Sequence, residues 1–347
     1  LSAADCSWRW HIGSFIKKHD KCGDLEMKEI SITEIEGIKI GNAEDTEAGT
    51  GCTAVICEQG ACPGADIRGG APASRETASL EPTKMCQAVH CVMLSGGSAF
   101  GLASCDGAMA FLEEKGIGFS TPGGVVPIVC GSCIYDLSCG RPDIRPDKEM
   151  GRLACENAWN GAALLQGNAG AGTGATVGKF DFGKWKMKGG LGLYAVRAGG
   201  VSIGAVAVVN SFGDIRDYDT GKIIAGARSD EKAEFINTQN AMYGILEQEF
   251  EPYSIENTCI TCIVTDADIT KTEANRTAQL AHNGYARTIS PVHTAADGDA
   301  IFVMATGKVK VNADALGALA GEVTGRAINN AVRNACSAYG IKSLNDL

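Results

Sequence analysis

Apolar residues in this chain fall mostly in short alternating or continuous blocks, the pattern of strands. Only a few stretches keep a helical period. Between Met27 and Ile67 four blocks read as strands, at 30–32, 38–40, 52–57 and 61–67, with turns expected at Gly41-Asn42 and Gln59-Gly60. Residues 68–77 carry neither period and read as a loop. A strand over 89–94 runs through Ser95-Gly96-Gly97-Ser98 into a small-residue helix that ends near Lys115. Residues 125–130 and 132–137 read as buried, 147–165 as a helix and 167–179 as a second glycine loop. Strands over 191–197 and 201–210 flank Gly199-Gly200 as a long hairpin. Helices are expected over 229–249, 269–288 and 312–338, and a strand over 300–305. Helices are gathered in a few places and do not alternate with strands one for one. The class is therefore α+β, with sheets covered by helices.

Composition changes this picture little. The chain has 347 residues, 45% hydrophobic and 21% charged, an ordinary globular mix. Its net charge of −10 and the lack of a Lys/Arg run argue against nucleic acid or an anionic membrane as partner. No stretch approaches twenty apolar residues, and no secretory leader is visible. The 15 cysteines are odd in number and lie largely in apolar runs, which suits buried, reduced thiols and a cytoplasmic location. The 45 glycines sit inside apolar segments, as tight turns and close backbone packing require. Residues 1–26 hold two of the four tryptophans and lack the glycine motifs of the rest. They read as an N-terminal extension or an ordinary surface helix, ahead of a single domain over 27–347.

Several familiar motifs fail on inspection. The run Gly170-Ala-Gly-Thr-Gly-Ala-Thr-Val-Gly-Lys179 lacks the glycine a phosphate loop needs at Thr173, and Phe180 stands where that loop needs Ser or Thr. Cys259 and Cys262 lie on an expected strand, where positions three apart face opposite sides and cannot share a metal ion. The other Cys-x-x-Cys pair is Cys130 and Cys133. Of the histidines, His90 is mid-strand and His282 is on a helix; His293, ahead of Asp297-Gly298-Asp299, is the one left as a candidate, and the two aspartates alone read as a solvated turn. Gly96-Gly97-Ser98, before a helix, exposes N–H groups that suit an oxyanion or a carboxylate, and is equally a tight turn.

One junction stands apart. The polar segment 251–257 gives way abruptly to the β-branched run Ile260-Thr-Cys-Ile-Val264, a buried strand, with Thr258 at its edge. Asn-Thr before a strand is usually only a turn. It is also the geometry of a self-cleaving hydrolase, with a hydroxyl held by a sheet behind a loop that can leave. A threonine hydroxyl needs a base, and the residue's own α-amine, once freed, has a pKa of roughly 7.7–8.0 and can serve. The same hydroxyl can first attack the carbonyl of residue 257. Asn210, ending a strand, is a candidate oxyanion donor and is also readable as a turn residue. Cys259 is a rival nucleophile that strand alternation points away from Thr258.

A set of segments then reinforces this reading: Asp66 to Thr77, Leu94 to Leu102, Gly174 to Lys179, Val209-Asn210, Asn257-Thr258, Glu273 to His282, Pro291 to Thr294, Asp297 to Asp299 and Ala305 to Gly307. Together they resemble, in order and over nearly the whole chain, the DmpA-type L-aminopeptidase/D-esterases, which include β-aminopeptidases and nylon-oligomer (6-aminohexanoate) hydrolases. The resemblance implies a four-layered αββα sandwich, like the N-terminal-nucleophile hydrolases but differently connected. It implies cleavage between Asn257 and Thr258, giving chains 27–257 and 258–347, with Thr258 as nucleophile and Asn210 on the oxyanion side. Tyr135 and Lys179 match active-site positions of the family. Asp297 and Asp299 match an accessory pair that is Ser and Glu in β-aminopeptidases and two Asp in nylon-oligomer hydrolases. Gly96, Gly97 and Ser98 would form a substrate or oxyanion loop. The resemblance further implies a small peptide, amide or ester substrate, no metal or cofactor, and a homo-oligomer of αβ units, a tetramer in the family. Cys259 departs from the family's small or apolar residue, and residues 1–26 match nothing in it. Two alternatives stay open: acetyl transfer of the ornithine acetyltransferase kind, and a non-catalytic scaffold of the same fold.

Overall fold

A computed structural model describes residues 27–180, 182–229, 231, 233–246 and 257–347. The extension 1–26, the residues just before Asn257 and the end of the expected helix at 229–249 lie outside the described residues.

Ten strands form the main sheet system: β1 Met27–Glu29, β2 Lys39–Asp45, β3 Thr50–Ile67, β4 Ser74–Arg75, β5 Val89–Ser95, β6 Val129–Cys133, β7 Gly190–Ala198, β8 Val201–Asn210, β9 Thr258–Asp268 and β10 Ala300–Lys310. Their order is β1-β7-β8-β9-β10-β3-β5-β6-β4, with β2 also on β3. The long strand β3 belongs to two sheets. Its second half pairs with β10, its first half with β2 and β5, and the register with β5 slips between Ile56 and Ala61. The expected turn at Gln59-Gly60 is this slip.

Helices α1 Ser104–Glu114, α2 Lys148–Trp159, α3 Thr238–Tyr243, α4 Lys271–Thr288 and α5 Ala313–Arg333 complete the frame. Period-two alternation sorts the buried side chains into three cores. Val206, Val208, Ile260, Cys262 and Phe302 of one sheet meet Val55, Val92, Leu94 and Cys130 of the other. Ala205, Ala207, Ile263 and Val303 face Ala278, Ala281, Val323 and Ala327 of α4 and α5. Cys52, Ala54, Cys91 and Met93 face Ala108, Phe111, Leu112 and Ala154 of α1 and α2. Three cores between four layers make the αββα sandwich.

Local chemistry explains most element ends. Thr270 and Glu273 form a capping box that starts α4, and the Asp147 side chain caps α2. The structure corrects the sequence reading in four places. Ser31 and Glu34 form a capping box around a short 3-10 turn where a strand was expected at 30–32. Gly41-Asn42 is mid-strand, and Gly41 is there because a Cβ would stand 2.2 Å from Ala158 N of α2. Residues 124–126 are a hairpin arm with Val126 exposed, and the buried strand begins only at Val129. Among the described residues of 229–249, the α-helix covers only α3. Asp214, fully buried, accepts from the backbone N–H and hydroxyl of Thr238 and from Ala227 N–H, and Ser229 pairs with Glu234. That long-range grip outweighs the local helical pattern.

Among the described residues no helix is long and apolar enough to cross a membrane. The described cysteines are free, and most are buried. Helix α5 lies so close on β7 that a Cβ at Gly192 would stand 1.9 Å from Ala327 O. Gly192→Ala should therefore destabilise the fold by about 1–3 kcal/mol, read as a lower urea midpoint at unchanged slope.

Candidate active site

Three neighbouring strands bring the candidate residues together. The antiparallel register of β8 and β9 sets Asn210 opposite Thr258. The parallel register of β9 and β10 pairs Ile260 with Ala300, and two residues back it brings Gly298 alongside Thr258. Thr258 is buried, and its hydroxyl donates to the carbonyl oxygen of Asn257. Gly298 N–H donates to Thr258 Oγ1 at 3.2 Å. A Cβ at position 298 would stand 2.7 Å from that oxygen and 2.8 Å from Ala71 O, so the site requires glycine.

Asn210 is held at both ends of its amide. Oδ1 accepts from Thr176 N–H at 3.0 Å and from Lys179 Nζ at 2.8 Å, and Nδ2 donates to Tyr135 O at 3.0 Å. The acceptors and donors leave one orientation of the amide. It is the backbone of Tyr135 that meets Asn210. Lys179 is buried and also donates to Asn210 O at 3.1 Å. Behind this shell lies Lys188, fully buried, which donates to Thr173 O at 2.8 Å and Ala175 O at 3.0 Å. Burial pulls its ammonium down to about 8. Lys188 thereby shapes the turn that presents Thr176 N–H to Asn210.

The glycine loop at 96–98 does hold a carboxylate, but the chain's own. Gly97 N–H donates to Asp136 Oδ1 at 2.6 Å, and Thr50 Oγ1 to Asp136 Oδ2 at 2.7 Å. Gly96 N–H goes to Gly51 O and Ser98 N–H to Ile134 O. Burial pushes Asp136 up to about 6. The loop thus connects to Asn210 through Asp136 and its neighbour Tyr135.

Asp297 and Asp299 stand on the other side of Thr258. Asp297 Oδ2 accepts from the N–H and hydroxyl of Thr294, each at 2.7 Å, and Asp297 bridges Asn257 along the backbone. Burial, and then the charge of Asp299, push Asp297 up to about 7, against the Thr294 hydrogen bonds and the charge of Lys179. Asp299 Oδ1 accepts Cys259 N–H at 2.7 Å, and Oδ2 accepts His293 Nδ1 at 2.8 Å. The loop after β3 is laced to this segment by Arg68 N–H on Asp299 O and Ala71 N–H on Asp297 O. Cys259 packs among the α4 and α5 side chains, away from Thr258, and burial pushes its thiol well above its ordinary value. His90 is structural, its Nδ1 accepting Ile128 N–H at 3.2 Å.

The sequence reading thus named Thr258, Asn210, Lys179, Tyr135, Asp297 and Asp299, and the fold gathers all six. It missed Gly298, Thr176, Lys188 and Asp136. Gly298 had a signal in its place between two carboxylates; the buried lysine and aspartate had none.

The model of Peptidase family S58 matches residues 31–345. The chain belongs to peptidase family S58. Relatives include an uncharacterized aminopeptidase of Mycobacterium leprae, 40% identical over 300 residues, covering 82% of this chain and 81% of the relative. The 6-aminohexanoate-oligomer endohydrolase of Kocuria sp. is 31% identical over 317 residues, covering 86% and 85%. Among solved structures, a β-aminopeptidase of Burkholderia sp. superposes with a TM-score of 0.64 at 20% identity, over 90% of each chain. The L-aminopeptidase D-Ala-esterase/amidase of Ochrobactrum anthropi, described as a variant of the Ntn-hydrolase fold, gives 0.65 at 17% identity, over 90% of this chain and 89% of that one. The fold is accordingly of the Ntn-hydrolase type, and this S58 member is a hydrolase of the aminopeptidase and amidase kind.

Gly298→Ala tests the packing around Thr258 in this S58 enzyme. Hydrolysis of an amino-acid p-nitroanilide should fall on the order of 100-fold with the far-ultraviolet circular dichroism unchanged.

Proposed function

We propose that the chain is a self-processing amide hydrolase with Thr258 as its nucleophile. The observation that carries this reading is the contact of the Thr258 hydroxyl with the carbonyl of Asn257, with Gly298 N–H on the same hydroxyl oxygen. Thr258 Oγ1 adds to the Asn257 carbonyl carbon while Asp297 takes the hydroxyl proton. The tetrahedral species collapses as the Thr258 nitrogen leaves and is protonated, giving an ester between Asn257 and Thr258. Water opens that ester and leaves Thr258 with a free α-amine.

In the mature enzyme that amine takes the proton of Thr258 Oγ1 during attack on a substrate amide and returns it to the leaving amine. The acyl-enzyme is then hydrolysed by water. Asn210, its amide fixed by Thr176, Lys179 and Tyr135, supplies a donor to the oxyanion. The substrates are small peptides, amides or esters from which N-terminal residues are released. The paired carboxylates at 297 and 299 and the likeness to an enzyme named for 6-aminohexanoate oligomers support an amide-oligomer range.

Three outcomes test this. Thr258→Ala should remain one band on a denaturing gel and lose amidase activity, while Thr258→Ser should still be cut; full activity in Thr258→Ala would sink the reading. Asn210→Ala should lower kcat on the order of 100- to 1000-fold. Because Asp297 sits at about 7, its base form grows as pH rises through that value. Self-cleavage of precursor refolded at set pH should therefore rise through pH ~7 and then level.

A further inference from the structure

Beside the carboxylate pair lies an aromatic cluster that the proposed chemistry does not use, with His282 and Tyr285 fully buried and His293 partly so. His293 has its backbone in the left-handed region, at φ 57°. For a residue other than glycine this is unfavourable and persists only where the surroundings enforce it. Here it turns the backbone N–H of His293 (3.2 Å) and its ring Nδ1 (2.8 Å) onto the same oxygen, Asp299 Oδ2. The other oxygen of Asp299 takes Cys259 N–H, the first peptide N–H after Thr258, at 2.7 Å.

The ring of His293 is itself held. Tyr285 stacks on it with centroids 5.8 Å apart, and His282 meets it edge-on at 4.7 Å, both from α4. Tyr285 OH is tied to Thr261 Oγ1 at 2.9 Å. His282 Nε2 lies 3.1 Å from Asp66 O, and since a carbonyl only accepts, Nε2 carries the hydrogen. Burial drives His282 down to about 3, so it stays neutral. Among the described residues, His293 Nε2 and His282 Nδ1 are buried and have no hydrogen-bond partner. The one polar partner of the His293 ring is therefore Asp299.

We propose that His293 is a positioning residue for the Thr258 site: its two N–H groups fix Asp299, and Asp299 fixes the start of β9 beneath the nucleophile. The inference rests on the reading of Thr258 given above. His293 acts through Asp299 and never touches the reacting atoms. The charged and titratable groups around it are Asp297 and Asp299 on its own loop, Cys259 from β9, His282 and Tyr285 from α4, Asp66 and Arg68 from the end of β3, and Lys179 beyond.

The test compares two substitutions in the full chain. In His293→Asn the amide nitrogen stands near the place of Nδ1 and can still donate. In His293→Phe the ring still packs against His282 and Tyr285 but donates nothing. The readouts are the self-cleavage rate of refolded precursor at pH 7, then kcat and KM of the cleaved fraction on an amino-acid p-nitroanilide. His293→Phe is expected to slow cleavage about tenfold or more at pH 7 and to lower kcat with little change in KM. His293→Asn is expected to keep the cleavage rate and kcat near the wild-type values. A folded His293→Phe with wild-type cleavage rate and kcat would overturn the proposal, as would His293→Asn behaving like His293→Phe. Should His293→Phe not fold, His293→Gln, whose amide reaches one bond too far, replaces it in the comparison. A wild-type chain that never cleaves at Thr258 would instead sink the nucleophile reading itself.

Discussion

The site depends on the register of three strands. β9 is hydrogen-bonded on one side to β8, antiparallel, and on the other to β10, parallel. That double pairing puts Asn210, Thr258 and Gly298 side by side at one end of a sheet, although they come from three distant parts of the chain. A slip of one residue in either pairing would turn the Thr258 hydroxyl to the helix face and bring Cys259 to the inter-sheet side. The β-branched run after Thr258, packed in a core on each face, is what resists that slip.

Around this frame the protein buries charge at considerable cost. Lys179, Lys188, Asp136, Asp297 and Asp299 are all nearly or fully inaccessible. Each is supported by hydrogen bonds that also fix backbone near Thr258 or Asn210. Lys188 and Asp136 hold the turns on either side of Asn210. Asp299 holds the first peptide group after Thr258. Buried ions are weak stabilisers on balance, so their concentration here fits a demand for exact orientation of a few groups. The consequence for Asp297 is a carboxyl that titrates near neutrality beside the peptide bond proposed to break.

Much of this was legible in the sequence, in unequal ways. The hairpin of β7 and β8, the strands β9 and β10 and the helices α4 and α5 could be read because apolar periodicity and local caps agreed with the final fold. Thr258 showed itself as an abrupt change from polar loop to β-branched strand. The four layers, and the roles of Asp297 and Asp299, came from family resemblance; residue patterns alone gave an α+β chain and a solvated turn. Where the sequence misled, a distant contact decided. Asp214 grips Ala227 and Thr238 from afar, α2 presses on Gly41, and β3 runs unbroken across two sheets. The burial of Lys188 could not be read at all, because nothing local marks a lysine whose partners are two carbonyls in another segment.

The central claim is that the bond between Asn257 and Thr258 is the one the protein breaks in itself. Intact-mass measurement with N-terminal sequencing of active, purified enzyme tests it most directly. The claim requires two chains, one ending at Asn257 and the other beginning at Thr258. A single uncut chain from a fully active preparation, or a second chain beginning at any other residue, would contradict it.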